Sequence, residues 1–107
     1  MIKKVIYTKE FEDNYKKLTR KNKPFECKVK KKIEKILDNP EIGVPKKYNL
    51  KGVRGLHINP FVITYTIIKD TIVFIAIDHH NVVYSKTSAI YSQLEEVYFN
   101  IWDSPSS

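Results

Sequence analysis

One hundred and seven residues, 42% hydrophobic and 29% charged, suit one compact domain and are too apolar for a disordered chain. The longest apolar run, from Phe61 to Ile68, is broken by Thr64 and Thr66 and followed by Lys69 and Asp70, well short of the roughly 20 apolar residues of a membrane span. Nineteen Lys and Arg against twelve acids give a net charge of +7, a sign that attracts polyanions by releasing their counterions, so nucleic acid is the first partner to expect.

The N-terminus has lysines but no apolar stretch behind them, so the expectation is a cytoplasmic protein without a secretory signal. A single cysteine, Cys27, makes no internal disulfide, and one Cys with three His offers no zinc-ligand spacing, so neither a structural metal nor a cofactor is expected. The charge is uneven. Residues 1–84 hold 18 bases and 9 acids, while residues 85–107 hold Lys86 against Glu95, Glu96 and Asp103.

Residues Ile2 to Tyr7 are β-rich and short. Thr8 then stands as the N-cap of a helix with Phe11, Tyr15 and Leu18 on one face. Asn22, Lys23 and Pro24 interrupt, and Pro24 suits the first position of a second helix with Phe25, Val29, Ile33, Ile36 and Leu37 on its stripe. Asn39-Pro40 ends it, because the residue before proline is pushed out of helical space. A loop is expected to about Asn49.

The period then changes to two. Leu56 and Ile58 point inward from a strand and His57 outward. In the next strand Phe61, Ile63, Tyr65 and Ile67 form the core set. A turn at Lys69 and Asp70 leads to a third strand, in which Val73, Ile75 and Ile77 are expected to share that core. Phe74, Ala76, Asp78 and His80 should face the other way. This puts His57 and His80 on one sheet face and His79 on the opposite one. Tyr84 is read at a strand end, and Ile90, Leu94, Val97 and Ile101 give a closing amphipathic helix within residues 85–107. The expected fold class is α+β: an N-terminal strand, a helical hairpin, a three- to four-stranded antiparallel meander and a C-terminal helix. All of it forms one domain over residues 1–107. The sheet face away from the hairpin is expected to be open or covered by the tail.

All three histidines lie between positions 57 and 80, and imidazoles are the side chains that both donate and accept protons near neutral pH. Ten Lys or Arg fall between Lys16 and Lys35, offset by Glu26 and Glu34. Lys28, Lys31 and Lys32 are the residues of this helix expected to dock on phosphates. Lys46, Lys47, Lys51 and Arg54 form a second basic cluster just before His57, near enough in sequence to hold a phosphate beside it. No glycine-rich cradle or RNA-recognition aromatic motif is present, so binding by charge and shape is expected.

The order of the elements, Asn39-Pro40, Asn49-Leu50-Lys51-Gly52, Gly55-Leu56-His57-Ile58-Asn59-Pro60, Ile63-Thr64-Tyr65 and His80-Asn81-Val82-Val83-Tyr84, resembles the RelE/ParE toxin superfamily over residues 1–84. The His-x-x-Pro and His-x-x-x-aromatic elements are most similar to its YafQ branch. The resemblance implies a toxin of a type II toxin–antitoxin pair, a ribosome-dependent mRNA endonuclease, with a cognate RelB-like antitoxin, the ribosome and mRNA as partners and no membrane. It implies catalytic roles for His57, His80 and Tyr84. The branch can place another active-site histidine where this chain has Tyr48, which is counted here with the RNA-contacting residues. It has an aspartate where this chain has Phe61, and the arginine of RelE proper is Val62 here. Cleavage through the ribose 2′-hydroxyl needs a base, an acid and positive charge on the phosphate, and no metal. One histidine as base, the other or Tyr84 as acid, and Lys51 or Arg54 as clamp would suffice. Two rival readings stay open: a ParE-like inhibitor of DNA gyrase without nuclease activity, and an inactive basic domain.

Overall fold

The computed structural model describes residues 2–94. In chain order the elements are β1 (Lys4–Tyr7), α1 (Lys9–Thr19), α2 (Lys23–Asp38), β2 (Val44–Pro45), one 3₁₀ turn at Tyr48–Leu50, β3 (Val53–Ile58), β4 (Phe61–Ile68), β5 (Thr71–His79) and α3 (Val83–Leu94). The five strands form one sheet in the order β1-β5-β4-β3-β2. β1 runs parallel to β5 and the other pairs are antiparallel.

Both helices of the hairpin start on side-chain caps. Thr8 Oγ1 accepts from the Phe11 N–H at 3.1 Å, and Asn22 Oδ1 accepts from the Phe25 N–H at 3.1 Å. Lys23 is therefore the first helical residue and Pro24 the second, still within the turn where a missing N–H has no effect on the hydrogen-bond ladder. β1 ends where Tyr7 pairs with Phe74, while β5 runs on to His79. Over that stretch α1 replaces the missing strand. The Thr8 hydroxyl donates to the Ile75 carbonyl at 2.6 Å and the Asn14 amide donates to the Ile77 carbonyl, which covers an otherwise unpaired edge.

Phe11, Val29 and Ile36 of the hairpin pack on Ile58, Ile63, Tyr65, Ile72, Phe74 and Ile77. On the opposite face Val53, Val62, Val73, Ile75 and Ala76 lie under Val83 and Tyr91 of α3, with Leu50 from the 3₁₀ turn. β4 and β5 are thus buried on both sides, which is why they read as nearly continuous apolar runs.

Three expectations change. The even alternation expected along β5 is broken by a bulge: Thr64 pairs with Ala76 but Tyr65 pairs with Phe74, leaving Ile75 as the extra residue. Ile72 and Phe74 therefore join Ile77 on the hairpin side, and Val73 and Ile75 turn to α3. The sheet face away from the hairpin is covered by the tail helix α3, one of the two outcomes expected, but α3 starts at Val83, so Tyr84 belongs to a helix rather than a strand end. Of the tail stripe, Ile90 and Leu94 pack against the second core, and Val97 and Ile101 lie outside the described residues. The expected loop before Asn49 contains β2 and leads into the 3₁₀ turn. Among the described residues no helix is long and apolar enough to cross a membrane.

Candidate functional site

Along β3 the side chains of Leu56 and Ile58 go to the hairpin core, so Val53, Gly55 and His57 face the α3 side. His57 pairs opposite Val62, close to the β3–β4 turn, and is exposed. At Gly55 this face has no side chain of its own, and Lys46 fills the space. The Lys46 N–H donates to the Val53 carbonyl at 2.9 Å, extending the β2–β3 ladder. A methyl group on Gly55 would stand 3.0 Å from Lys46 Cε and 3.4 Å from Val62 Cγ1. The lysine stem therefore lies along the sheet surface, and its Nζ sits 4.9 Å from the centre of the Tyr84 ring. His57, Lys46 and Tyr84 share one face at the β2–β3 end of the sheet.

His80 lies one residue past β5, with its N–H donating to the Pro60 carbonyl at 3.0 Å. Its ring stacks on that of His79, centroids 4.4 Å apart with an interplanar angle of 29°. The expectation that His80 shares a face with His57 and that His79 takes the opposite one fails, because strand alternation stops when the chain turns at His80 and its ring joins His79, which pairs beside Phe61 on the hairpin side. The ring series continues from His79 to Phe61 at 6.2 Å and from Phe61 to Phe25 at 5.0 Å. His79 Nδ1 accepts from the Asn81 N–H at 3.2 Å. With β4 between β3 and β5, Asp78 is the β5 residue in register with His57, and His80 lies two residues further along the chain.

The start of α3, and with it Tyr84, is anchored by Lys86. Its ammonium donates to Asp78 Oδ2 at 2.6 Å and to Glu10 Oε2 at 3.2 Å, tying together α3, β5 and α1. Burial pushes the Asp78 carboxyl up, but hydrogen bonds from the Lys86 ammonium, the His79 N–H and the Asn14 amide outweigh it and hold the group below its ordinary value. The bond to Asp78 raises Lys86 in turn.

The other basic candidates are dispersed. Arg54 alternates with His57 and takes the opposite face, where its Nη1 donates to the carbonyls of Glu41 at 2.9 Å and Gly43 at 2.8 Å. The buried Tyr65 hydroxyl holds the same loop, accepting from the Gly43 N–H at 2.9 Å and donating to the Pro40 carbonyl at 2.7 Å. Arg54 is a brace for residues 40–43 and does not join His57. Lys47 and Lys51 are exposed, and the Lys51 carbonyl accepts from the Tyr91 hydroxyl at 2.8 Å. Tyr48 is 91% exposed at a left-handed φ of 59°. Lys28 and Lys31 are exposed and Lys32 is half-buried on α2, across the sheet from His57. Phe61 turns to the hairpin side against Phe25, and Val62 is fully buried.

Sequence reasoning saw Lys46 as one charge in a cluster and missed its contact with Gly55 and Tyr84. The available signal was a glycine inside a β-rich segment, which often marks a close approach of another group.

An N-terminal strand, a helical hairpin, a mixed five-stranded sheet and a closing helix make up the architecture of the RelE/ParE toxins. The family described as "ParE toxin of type II toxin-antitoxin system, parDE" matches residues 5–84, and the chain belongs to it. No curated protein matches the chain. Among solved structures, the crystal structure of YafQ from E. coli strain BL21(DE3) is similar at 17% identity and a TM-score of 0.57, covering 76% of this chain and 96% of that one. The solution structure of the conserved hypothetical protein HP0894 from Helicobacter pylori shares 22% identity, covering 76% of this chain and 97% of that one, with a TM-score of 0.48. A toxin of such a pair has an antitoxin as its partner.

Proposed function

We propose that this toxin is a ribosome-dependent mRNA endonuclease of the cytoplasm. The observation that carries the reading is the exposed His57 on the same sheet face as the half-buried Lys46 and Tyr84. The ribose 2′-oxygen attacks the adjacent phosphorus and the bond to the 5′-oxygen breaks, leaving a 2′,3′-cyclic phosphate and a 5′-hydroxyl. One imidazole takes the 2′-hydroxyl proton. The other imidazole, or Tyr84, protonates the departing 5′-oxygen. Lys46, Lys47 and Lys51 supply positive charge, with Tyr48 beside them, and Lys28, Lys31 and Lys32 dock on ribosomal RNA phosphates. The motif resemblance to the YafQ branch supports the same reading.

Induced expression followed by primer extension on cellular RNA tests it. Discrete in-frame cuts are expected, and His57→Ala or His80→Ala should lower cleavage by about two to four decades and relieve growth arrest. The match to a ParE family favours a second reading, inhibition of DNA gyrase. In that case mRNA stays intact, gyrase–DNA complexes accumulate and His57→Ala arrests growth as the parent does.

A further inference from the structure

Resting on the endonuclease reading, we infer that Lys46 is the cation that holds the scissile phosphate, and that Tyr84 is its positioning residue, acting through its ring face and not as the acid. The other cations near the site are occupied or loosely held. Arg54 is engaged by two carbonyls on the opposite face. Lys86 is neutralised by Asp78 and Glu10. Lys47 and Lys51 are exposed, with long stems free to wander. Lys46 differs from all of these. Its backbone is fixed in the sheet ladder, its stem lies against Gly55 and Val62, and its ammonium rests 4.9 Å from the Tyr84 ring centre, within the roughly 6 Å of a cation–π contact. No carboxylate among the described residues pairs with it. The result is a fixed, uncompensated positive charge on the His57 face, and a charge already in place stabilises developing negative charge without reorganising during the reaction.

Gly55 and Tyr84 set that position from two sides. A methyl at Gly55 would lie 3.0 Å from Lys46 Cε and 3.5 Å from Nζ, displacing the end of the lysine. The Tyr84 ring face is taken by the ammonium, while its hydroxyl has no hydrogen-bond partner among the described residues to aim its proton. The ring, and not the hydroxyl, is the part of this tyrosine built into the site.

The test compares Tyr84→Phe, Tyr84→Leu, Lys46→Met and Gly55→Ala in ribosome-dependent cleavage, with thermal unfolding as the folding control. Tyr84→Phe keeps the ring and should cut within about twofold of the parent, while Lys46→Met and Tyr84→Leu should each lose about 100-fold or more in kcat. The double variant Lys46→Met/Tyr84→Leu should be no worse than Lys46→Met alone, because the two act as one unit. Gly55→Ala should fall between. Independently of activity, the Lys46 Hε resonances should be shifted upfield by the ring current in the parent and in Tyr84→Phe. Tyr84→Phe as inactive as His57→Ala, or absence of the ring-current shift in the parent, overturns the proposal, and neither outcome depends on Tyr84→Leu being able to fold. Intact mRNA with the parent toxin identifies a different failure, that of the endonuclease reading, and the phosphate clamp falls with it.

Discussion

On its hairpin side the sheet is closed by Phe11, Val29 and Ile36, and even the polar groups there, the Tyr65 hydroxyl and the Arg54 guanidinium, are engaged by backbone of residues 40–43. On its other side α3 buries Val62, Val73 and Ile75, but toward β3 the apolar cover gives way to Gly55, Lys46 and the exposed His57. The difference follows from the pleat. Successive residues of a strand go to opposite faces, so one strand can build the core on one side and present exposed polar side chains on the other. His57 and Ile58, adjacent in sequence, are the sharpest instance.

That pair offers the most direct way to break the comparison. His57→Ala should remove about two to four decades of cleavage while urea unfolding shifts by no more than about 0.5 kcal/mol, as for an exposed substitution. Ile58→Ala, 7% exposed in the hairpin core, should instead destabilise by about 2–4 kcal/mol. Equal losses of stability in the two variants would erase the division between the faces.

A second substitution reaches the surface of the hairpin layer. Lys28, Lys31 and Lys32 changed together to glutamate should weaken ribosome binding strongly. The salt dependence should flatten by about one unit of slope for each phosphate no longer neutralised, with the urea midpoint nearly unchanged. An unaltered slope would make this helix face merely solvated.

Tyr65→Phe tests the closed side from within. Removing the hydroxyl leaves the Gly43 N–H and the Pro40 carbonyl without their partner, at a cost of about 1–3 kcal/mol. Cleavage per folded molecule should stay at the parental level, measured alongside unfolding.

The smallest expected effect concerns the clamp between the layers. Asp78 is held below its ordinary value, so its contribution is present above the unfolded value near 3.8 and lost as pH falls through the lower folded one. Lys86 is raised, so its contribution is present below 10.5 and lost as pH rises through the higher folded value. Discounted for the partial exposure of Lys86, the pair contributes about 1 kcal/mol. Lys86→Met should remove that increment at neutral pH and leave unfolding less sensitive to acid below about pH 4, followed by urea titrations across the acid range.

Much of the hairpin side was legible in the sequence because it rests on local periods and caps. Thr8 caps the N–H three residues on, as its place before the first helix implied. Val29, Ile33 and Ile36 repeat at helical spacing, Asn39-Pro40 stops α2, and Leu56 and Ile58 alternate away from His57. What the sequence could not supply lies in contacts between distant segments. The bulge at Ile75 has no local signature, so the reading of β5 was carried one residue out of phase. The parallel pairing of β1 with β5 joins residues 67 positions apart, and the stacking of His79 on His80 depends on how the chain leaves the strand. By itself the sequence determined the N-terminal strand, the two hairpin helices, the three long strands, the charge and the side of β3 on which His57 stands, because backbone period and capping act within a few residues. Only the tertiary structure decided which cation stands beside His57: Arg54 is sent by the pleat to the far face, and Lys46, nine positions before Gly55 and 38 before Tyr84, is brought between them by the pairing of β2 with β3 and the packing of α3 on the sheet.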